Sequence, residues 1–555
     1  MSRLLRARLG GPEAHPTEGL IDEVGPGARP TALRLYFETV RHLRVRQVWG
    51  WASERLARMP AMGEALPVRV RMGAWVEGYL RPASMLPGGR VWLLNQSAVI
   101  GDWNSLDRSR LWNYHLHYFE DPRVGPEWFL RWKAENPVGA GAGWEAYPLS
   151  RRIVNWIRWL GRQASGGPGD PPNCELDESV AWQARFLASK IEYRLLANHL
   201  FVNAKALIYA GTYFSGPEAA GWLATGLKIL DREVGEQILG DGGHYERSPM
   251  YHALILEDLL DLESLRQAYP GVWAARPLWA TAAGRMLGWL RMMTHPDGEI
   301  AFFQDACWGV APSYLALEEY AGRLGVNVGG GPGGPPNRGV VSGYRRLEAG
   351  ELVVLFDGGG PGPDYQPGHA HAGTLSIEAS WAGGRVIVNS GTSTYELSAV
   401  RAFERSTEAH ATVRVDGRDS SEMWSAFRVA RRARVQEVAH GANWVSAMHT
   451  GYAPVMHRRR VTVSAHEVLL EDEVTGGGLV EWFFPLHPSI EMRGMELWRA
   501  GWRIGRFVAP AGVRAMVEPS EWRPEFNLRV PASRIRMWAG GAGKYETRFV
   551  FEGQV

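Results

Sequence analysis

The sequence predicts a multidomain α+β chain, a helical (α/α) toroid followed by an antiparallel β-sandwich, on three observations. From about residue 105 to 325 apolar residues recur at helical spacing. The stretch "GVNVGGGPGGPPNRG" (325–339) then holds almost nothing that could enter a core. Beyond it the apolar period falls to two, in short runs divided by Gly, Asp and Ser turns.

Residues 1–95 read as an N-terminal segment with a Pro/Gly-rich start, a helix near 31–59 and a short strand at "RVWLLNQ". Residues 96–325 form the toroid. There "LILEDLLDLESLRQAY" sets Ile255, Leu259, Leu262 and Leu265 on one stripe, and "GRMLGWLRMM" does the same with Met286, Leu290 and Met293. Such segments with short connections predict antiparallel helix pairs. Residues 326–339 are the linker, and 340–555 the sandwich, with strands expected at "TLSIEAS", "RVIVNSG", "RVTVSAHEVLLEDEV" and "LVEWFFPLH".

Composition narrows the function classes. A net charge of +2 over 555 residues argues against a nucleic-acid binder. No apolar run is long enough to span a bilayer. The start "MSRLLRARLGGPEAHPTEG" lacks an apolar signal core, so a cytoplasmic chain is the default expectation. Cys174 and Cys307 are the only cysteines, which leaves no disulfide framework. The cations are nearly all arginine, with lysine only at 133, 190, 205, 228 and 544, and arginine suits carboxylate or sulfate ligands. Among the 25 tryptophans and 18 tyrosines some could stack under sugar rings, although large cores account for most.

Three clusters could carry chemistry. "LLANHLFVNAKAL" (195–207) places Asn198, His199 and Asn203 in a helical stretch that asparagine should interrupt. In "DGGHYERSPMYH" (241–252), Asp-Gly-Gly marks a turn and Ser-Pro a helix start. That puts Tyr251 and His252 in an opening turn that favours negative charge, with Tyr245 and Glu246 just before. In "GHAHAGTLSIEAS" (368–380), His369 and His371 stand two apart at what reads as the head of a strand, on one face. Asn389, Tyr395, Arg405 and His410 follow at strand ends or loops. A third histidine raises the odds of a metal site. Asp297, Asp305 and Glu246 offer carboxylates for a two-acid glycosidase, but no motif pairs them. GxxxxGK[ST], HExxH and GxSxG are absent.

In this order the clusters resemble the heparinase II/III-like polysaccharide lyases. The resemblance runs through "LWNYHLHYFEDP" (111–122), "GAGWEAYPLSRRIVNWIRWL" (141–160), "ANHLFVNAKALIYAG" (197–211), "GGHYERSPMYH" (242–252), "GHAHAGTLSIE" (368–378), "VNSGTSTYE" (388–396) and "RSTEAHATVRVDG" (405–417). It implies a toroid and sandwich with the active site between them, and β-elimination on an anionic, uronate-containing polysaccharide such as heparan, chondroitin, hyaluronan or alginate. By the resemblance Asn198, with His199 beside it, neutralises the C5 carboxylate so that the developing enolate is tolerated. Tyr251 is the acid, and also the base when proton and leaving group share a face; His369 is the base for the opposite epimer. Trp144, Arg152, Asn155, Asn203, Tyr245, Tyr395 and Arg405 are expected sugar and anion contacts. His371, Asn389 and His410 match ligands of one structural divalent ion, zinc or manganese, with no organic cofactor. The zinc-binding members carry aspartate at the Asn389 position, and a neutral amide is a poorer ligand.

A toroidal glycoside hydrolase and a non-catalytic polysaccharide-binding or assembly protein are the alternatives. Retention of Asn198, Tyr251 and His369 together speaks against the last.

Overall fold

The computed structural model of the protein describes residues 32–56, 68–69, 75–163, 174–273, 277–329 and 341–552. The Pro/Gly-rich start and residues 330–339 of the expected linker lie outside them. Among the described residues no helix is long and apolar enough to cross a membrane.

The single helix expected near 31–59 is two, Ala32–Val40 and Val45–Leu56. The break is local: Gln47 Oε1 accepts the Arg44 N–H at 3.0 Å, starting the second helix afresh. Both lie across the molecule, with Arg46 paired to Glu233 of the helical half and Arg34 to Glu422 of the β half. The strand expected at "RVWLLNQ" is a three-stranded meander of Met85–Leu86, Arg90–Leu93 and Gln96–Val99. The expected boundary at 95/96 falls in its last turn. Val91 and Ile100 are buried in the helical core, so this meander packs with the toroid rather than with a separate N-terminal unit.

The toroid's helices are Arg110–Tyr118, Pro126–Glu135, Ala146–Gln163, Cys174–Ser189, Ala197–Tyr213, Pro217–Gln237, Pro249–Ala268, Pro277–Met292 and Tyr314–Arg323. Four open on proline, whose missing N–H would be unpaired there in any case. Asn198 and Asn203 do not interrupt the Ala197–Tyr213 helix; the Asn203 amide bonds outside it, and it runs buried nearly from end to end. Its neighbour Pro217–Gln237 lies close because Gly226 faces Ala204 and Ile208. A Cβ there would meet Ile208 Cγ1 at 2.7 Å.

In the β half, a four-stranded sheet (Tyr344–Ala349, Leu352–Asp357, Ile377–Trp381, Gly384–Ile387) shares one core with an eight-stranded sheet. A second four-stranded sheet, Val413–Val415, Leu479–Pro485, Val530–Gly540 and Arg514–Trp522, enters the same core. Every pairing within these sheets is antiparallel. Val461, Val463, Val468 and Leu470 alternate inward along the Val455–Ser464/Glu467–Val474 hairpin, the burial that period two foretells.

The halves meet through aromatic rings. Trp522 of the sandwich stacks on Phe302 at 5.7 Å and meets Trp308 edge-on at 4.9 Å, and both partners come from the 294–313 segment after the Pro277–Met292 helix. Beside them Arg385 binds Asp297, and Phe302 N–H donates to Glu378.

Candidate active site

Where the 294–313 segment runs beneath the sandwich, it delivers Asp305. This carboxylate, wholly buried, is the hub of the site. Oδ2 lies 2.9 Å from His369 Nδ1 and Oδ1 lies 2.8 Å from His371 Nε2. Arg401, on the short Ala399–Glu404 helix, grips both oxygens through NH1 and NH2. Burial opposes ionisation of Asp305, yet Arg401 and the two histidines hold its carboxyl well below the ordinary carboxylate range. A carboxylate fixed at Nδ1 sets the His369 tautomer and leaves Nε2 as the free basic nitrogen.

The histidines do not stand on a strand. Residues 368–376 are loop, and the strand begins at Ile377. The same-face argument for His369 and His371 therefore fails; what unites them is Asp305, which their opposite ring nitrogens both approach.

Tyr251 occupies the opening turn of the Pro249–Ala268 helix, as expected. Ser248 Oγ accepts its N–H at 3.1 Å and donates to Asp305 O at 2.6 Å, tying this helix start to the hub. The Tyr251 ring stacks on His369 with centroids 3.8 Å apart, and its hydroxyl is 3.0 Å from that of Tyr395. Burial first, then Tyr395 and Asp305, push its pKa well above the ordinary value, so the resting group is a neutral phenol and not the tyrosinate a helix start would favour.

Asn198 and His199 sit in the first turn of Ala197–Tyr213. Near them burial pushes the Tyr147 hydroxyl up to about 12, with Asn198 pulling it the other way. His199 contacts Glu192 at 3.2 Å, and its ring lies 4.6 Å from Tyr147. Leu196 and Ala197 (φ 57° and 48°), Arg247 (φ 62°) and Gln304 (φ 59°) hold left-handed backbone immediately before Asn198, Ser248 and Asp305. Such conformations persist only where surrounding structure imposes them, and here they aim the polar groups of the site.

Glu246 was not expected at the centre of the site. It is 2% exposed, both of its oxygens lack a side-chain partner, and Oε2 lies 3.8 Å from His369 Nε2. Burial, then the charge of Asp305, push this carboxyl up to about 8, the Asn198 backbone pulling the other way. Asp305 and Glu246 were legible only as loose acids; Arg401 had no sequence signal.

Several expected sugar contacts are interior groups instead. Arg152 is fully buried, bonded to Gln183 and Gly143 O and stacked at 3.7 Å on Trp132. Trp144 packs against Trp132 and Phe186, and Asn203 accepts the Glu192 N–H and donates to Ser150. Arg405 binds Ala370 O and Ser425 O, and Tyr245 is buried beside Ala197; Asn155, by contrast, is only half-buried, donates to Tyr118 O and lines a pocket with Glu120, Arg151 and Lys205. An arginine or tryptophan looks like a ligand contact in sequence because carbonyls and ring faces that satisfy it in the interior are remote along the chain. Of that set, Tyr395 alone is joined to the acid–base group.

Two of the three expected metal ligands stand together. His371 Nδ1 and His410 Nε2 stand 3.2 Å apart and contact each other, while His410 Nδ1 is held by Ser406 O. Burial lowers both histidines, His371 to about 4 and His410 to about 3, which keeps them neutral. Asn389 is buried with neither amide atom partnered. Two imidazoles and a neutral amide are a weak set for zinc or manganese. Among the described residues no group of three His, Cys, Asp or Glu side chains could hold a metal ion.

The comparisons with known proteins agree with this architecture. The model of the family described as "Heparinase II/III N-terminus" matches residues 175–320, and that described as "Heparinase II/III-like, C-terminal" matches residues 331–552. FtsZ-localized protein C of Caulobacter vibrioides is 26% identical over 72% of this chain and 69% of its own length. A heparin-sulfate lyase of Bacteroides stercoris is 35% identical over a short match, 14% of this chain and 13% of its own. Among solved structures, heparinase III superposes with a TM-score of 0.66 at 19% identity, over 85% of this chain and 81% of that one. Heparan sulfate lyase from Pedobacter heparinus gives 0.55 at 15% identity, over 82% and 79%. With both halves matched in order and the toroid–sandwich fold shared, the chain belongs to the heparinase II/III-like family.

Proposed function

We propose that the protein is a polysaccharide lyase that cleaves a uronate-containing polymer, of the glycosaminoglycan class, by β-elimination. The observation that carries this reading is the stacked pair of Tyr251 and His369, with Asp305 locking His369 Nδ1 so that Nε2 is available. In the reaction the Asn198 amide, beside the Tyr147 hydroxyl, hydrogen-bonds the uronate carboxylate and stabilises the charge that develops as the C5 proton leaves. His369 Nε2 takes that proton; when proton and leaving group lie on one face, the Tyr251 hydroxyl first gives its proton to His369 Nε2, takes the C5 proton as tyrosinate and passes it to O4. The Tyr251 phenol donates to the departing O4, supported by the Tyr395 hydroxyl. No step uses a metal. The matched lyases are named for heparin and heparan sulfate, which supports the substrate class.

The test is ultraviolet absorbance of the unsaturated uronate on a panel of heparan, heparin, chondroitin, hyaluronan and alginate, since only elimination forms that chromophore. Tyr251→Phe should lower kcat by at least about 10³ on any polymer cleaved, with the fold kept. Near-full activity in this variant would overturn the mechanism.

A second reading has its own observation. The relative matched over 72% of the chain is named for localisation with FtsZ, and the heparin-sulfate lyases match shorter segments. On this reading the fold serves as a polysaccharide-binding or assembly module at the division site. Silence on the whole panel together with a fluorescent fusion that tracks FtsZ would favour it.

A further inference from the structure

We infer that Glu246 is a further catalytic residue: its carboxyl holds one oxygen of the uronate carboxylate through a proton that the two groups share, while the Asn198 amide holds the other. The inference rests on the elimination reading and adds a residue to it.

Glu246 is 2% exposed, and neither of its carboxyl oxygens has a side-chain partner. Buried polar groups are almost always paired, and an orphan of this kind marks a place where a partner from outside is bound. Packing alone would be better served by leucine, which leaves no polar atom unpaired.

The position of the carboxyl names that partner. Oε2 lies 3.8 Å from His369 Nε2. Asp305 holds the Nδ1 edge of that imidazole, the Tyr251 ring covers one face, and Phe427 stands across it at 5.9 Å. The edge left to a substrate is Nε2, where Glu246 stands. A C5–H within reach of this nitrogen puts C5 about 3–3.5 Å from it. The carboxylate carbon is one bond farther, about 1.5 Å. A uronate seated for reaction thus brings its carboxylate within reach of Glu246. The backbone of Asn198 also acts on the Glu246 carboxyl, which sets the two residues side by side.

Two carboxylates in contact in a dry site cannot both ionise, so they share one proton. The surroundings make Glu246 its holder before substrate arrives. Asp305 of the 294–313 segment is ionised, whereas the Tyr245 and Tyr251 phenols and the His369 imidazole are uncharged. His199, on the Ala197–Tyr213 helix, is turned to Glu192. In the segment at Gly362, which packs on the Glu246 backbone, Asp364 binds Arg434 and Tyr365 binds Glu236. Arg247, next in the chain, binds Gly360 O, and Arg401 is forked onto Asp305. Burial and Asp305 push the carboxyl up to about 8, and an incoming carboxylate raises it further.

As the C5 proton leaves, its electron pair spreads onto the uronate oxygens, and the shared proton moves from Glu246 toward them. O4 then departs with its own electron pair and takes a proton from Tyr251. The C4–C5 double bond forms, the uronate is an ordinary carboxylate again, and the shared proton returns to Glu246. The bond strengthens only while charge develops, so it lowers the barrier more than it tightens binding.

The experiment follows the unsaturated uronate with full-length wild type, Glu246→Leu and Glu246→Gln, on whichever of heparan, heparin, chondroitin, hyaluronan and alginate the wild type cleaves. Glu246→Leu is expected to lower kcat by about 10²–10³ with KM within about threefold. Glu246→Gln, whose amide still donates, should keep kcat within about tenfold of the wild type. Wild-type kcat/KM should fall above about pH 8, and Glu246→Gln should lack that fall. A role in packing alone would move neither the alkaline limb nor the split between kcat and KM. If Glu246→Leu does not fold, the limb in Glu246→Gln decides. Near-full kcat in a folded Glu246→Leu, or an alkaline fall that persists in Glu246→Gln, overturns the assignment and leaves the elimination standing. No chromophore from the wild type on any of the five polymers overturns both.

Discussion

On the proposed mechanism Asp305 matters to catalysis without touching substrate. It bonds the ring nitrogen of His369 that faces away from the reaction, and Arg401 keeps it ionised. Asp305→Asn keeps the size but loses the charge, and the amide cannot accept from both histidines and the guanidinium. The expected outcome is a kcat lower by about 10²–10⁴ with KM within about threefold, as for a carboxylate that orients a catalytic imidazole. Melting should show a loss of about 3–5 kcal/mol from leaving Arg401 buried and unpaired. Unchanged kcat would assign Asp305 to packing alone. Glu246 makes the opposite case, since its carboxyl rises from 4.5 to about 8 because burial leaves it without a compensating charge. A raised folded-state value means that the native state holds its proton more tightly. The associated stability is fully present below the unfolded value near 4.5 and is lost as pH climbs through about 8. Urea unfolding from about pH 5 to about pH 9 should show the wild type losing roughly 4 kcal/mol relative to Glu246→Gln, which cannot ionise. Parallel stability profiles would mean that the carboxyl is ionised throughout.

At the scale of elements, legibility followed how local the deciding interactions are. The Val455–Ser464/Glu467–Val474 hairpin was readable because alternation along one strand suffices to state which residues face inward. The start of Pro249–Ala268 was readable because Ser248 and Pro249 are cap and first-turn residues in the sequence itself. The loop 368–376 was not, since a His-x-His pair reads alike on a strand or a loop, and Asp305, which holds both rings, is more than sixty residues away. The same distance hid the pairing of Arg401. The loop also bears on the metal question. His371 and His410 are already close, and the buried Asn389 amide has no partner, so the missing ingredient is a third anionic donor. Zinc is expected to leave the melting temperature of the wild type unchanged. Asn389→Asp should gain a zinc-dependent increment, about 2.7 kcal/mol at a hundredfold excess over Kd. A wild-type response equal to that of the variant would show that the amide serves as a ligand after all.

At the scale of the whole molecule, the acid–base group belongs to neither half. Tyr251 and Asp305 come from the toroid and the segment that follows it; His369, Tyr395 and Arg401 come from the sandwich. The 3.8 Å stacking of Tyr251 on His369 therefore depends on how the halves are docked, and docking depends on Trp522 against Phe302 and Trp308. Trp522→Ala opens a cavity at that contact without removing a residue of the site. Truncation of a buried tryptophan costs about 3–5 kcal/mol, and here the loss falls on the interface rather than on either core. The expected result is a kcat reduced by about tenfold or more, with the cooperative unfolding of the sandwich core retained in hydrogen exchange. Trp522→Phe, which keeps an aromatic face toward Phe302, should recover most of that rate. A full rate in Trp522→Ala would mean that the polar links alone, Asp305 to His369 and Arg401 and Asp297 to Arg385, fix the register of the two halves.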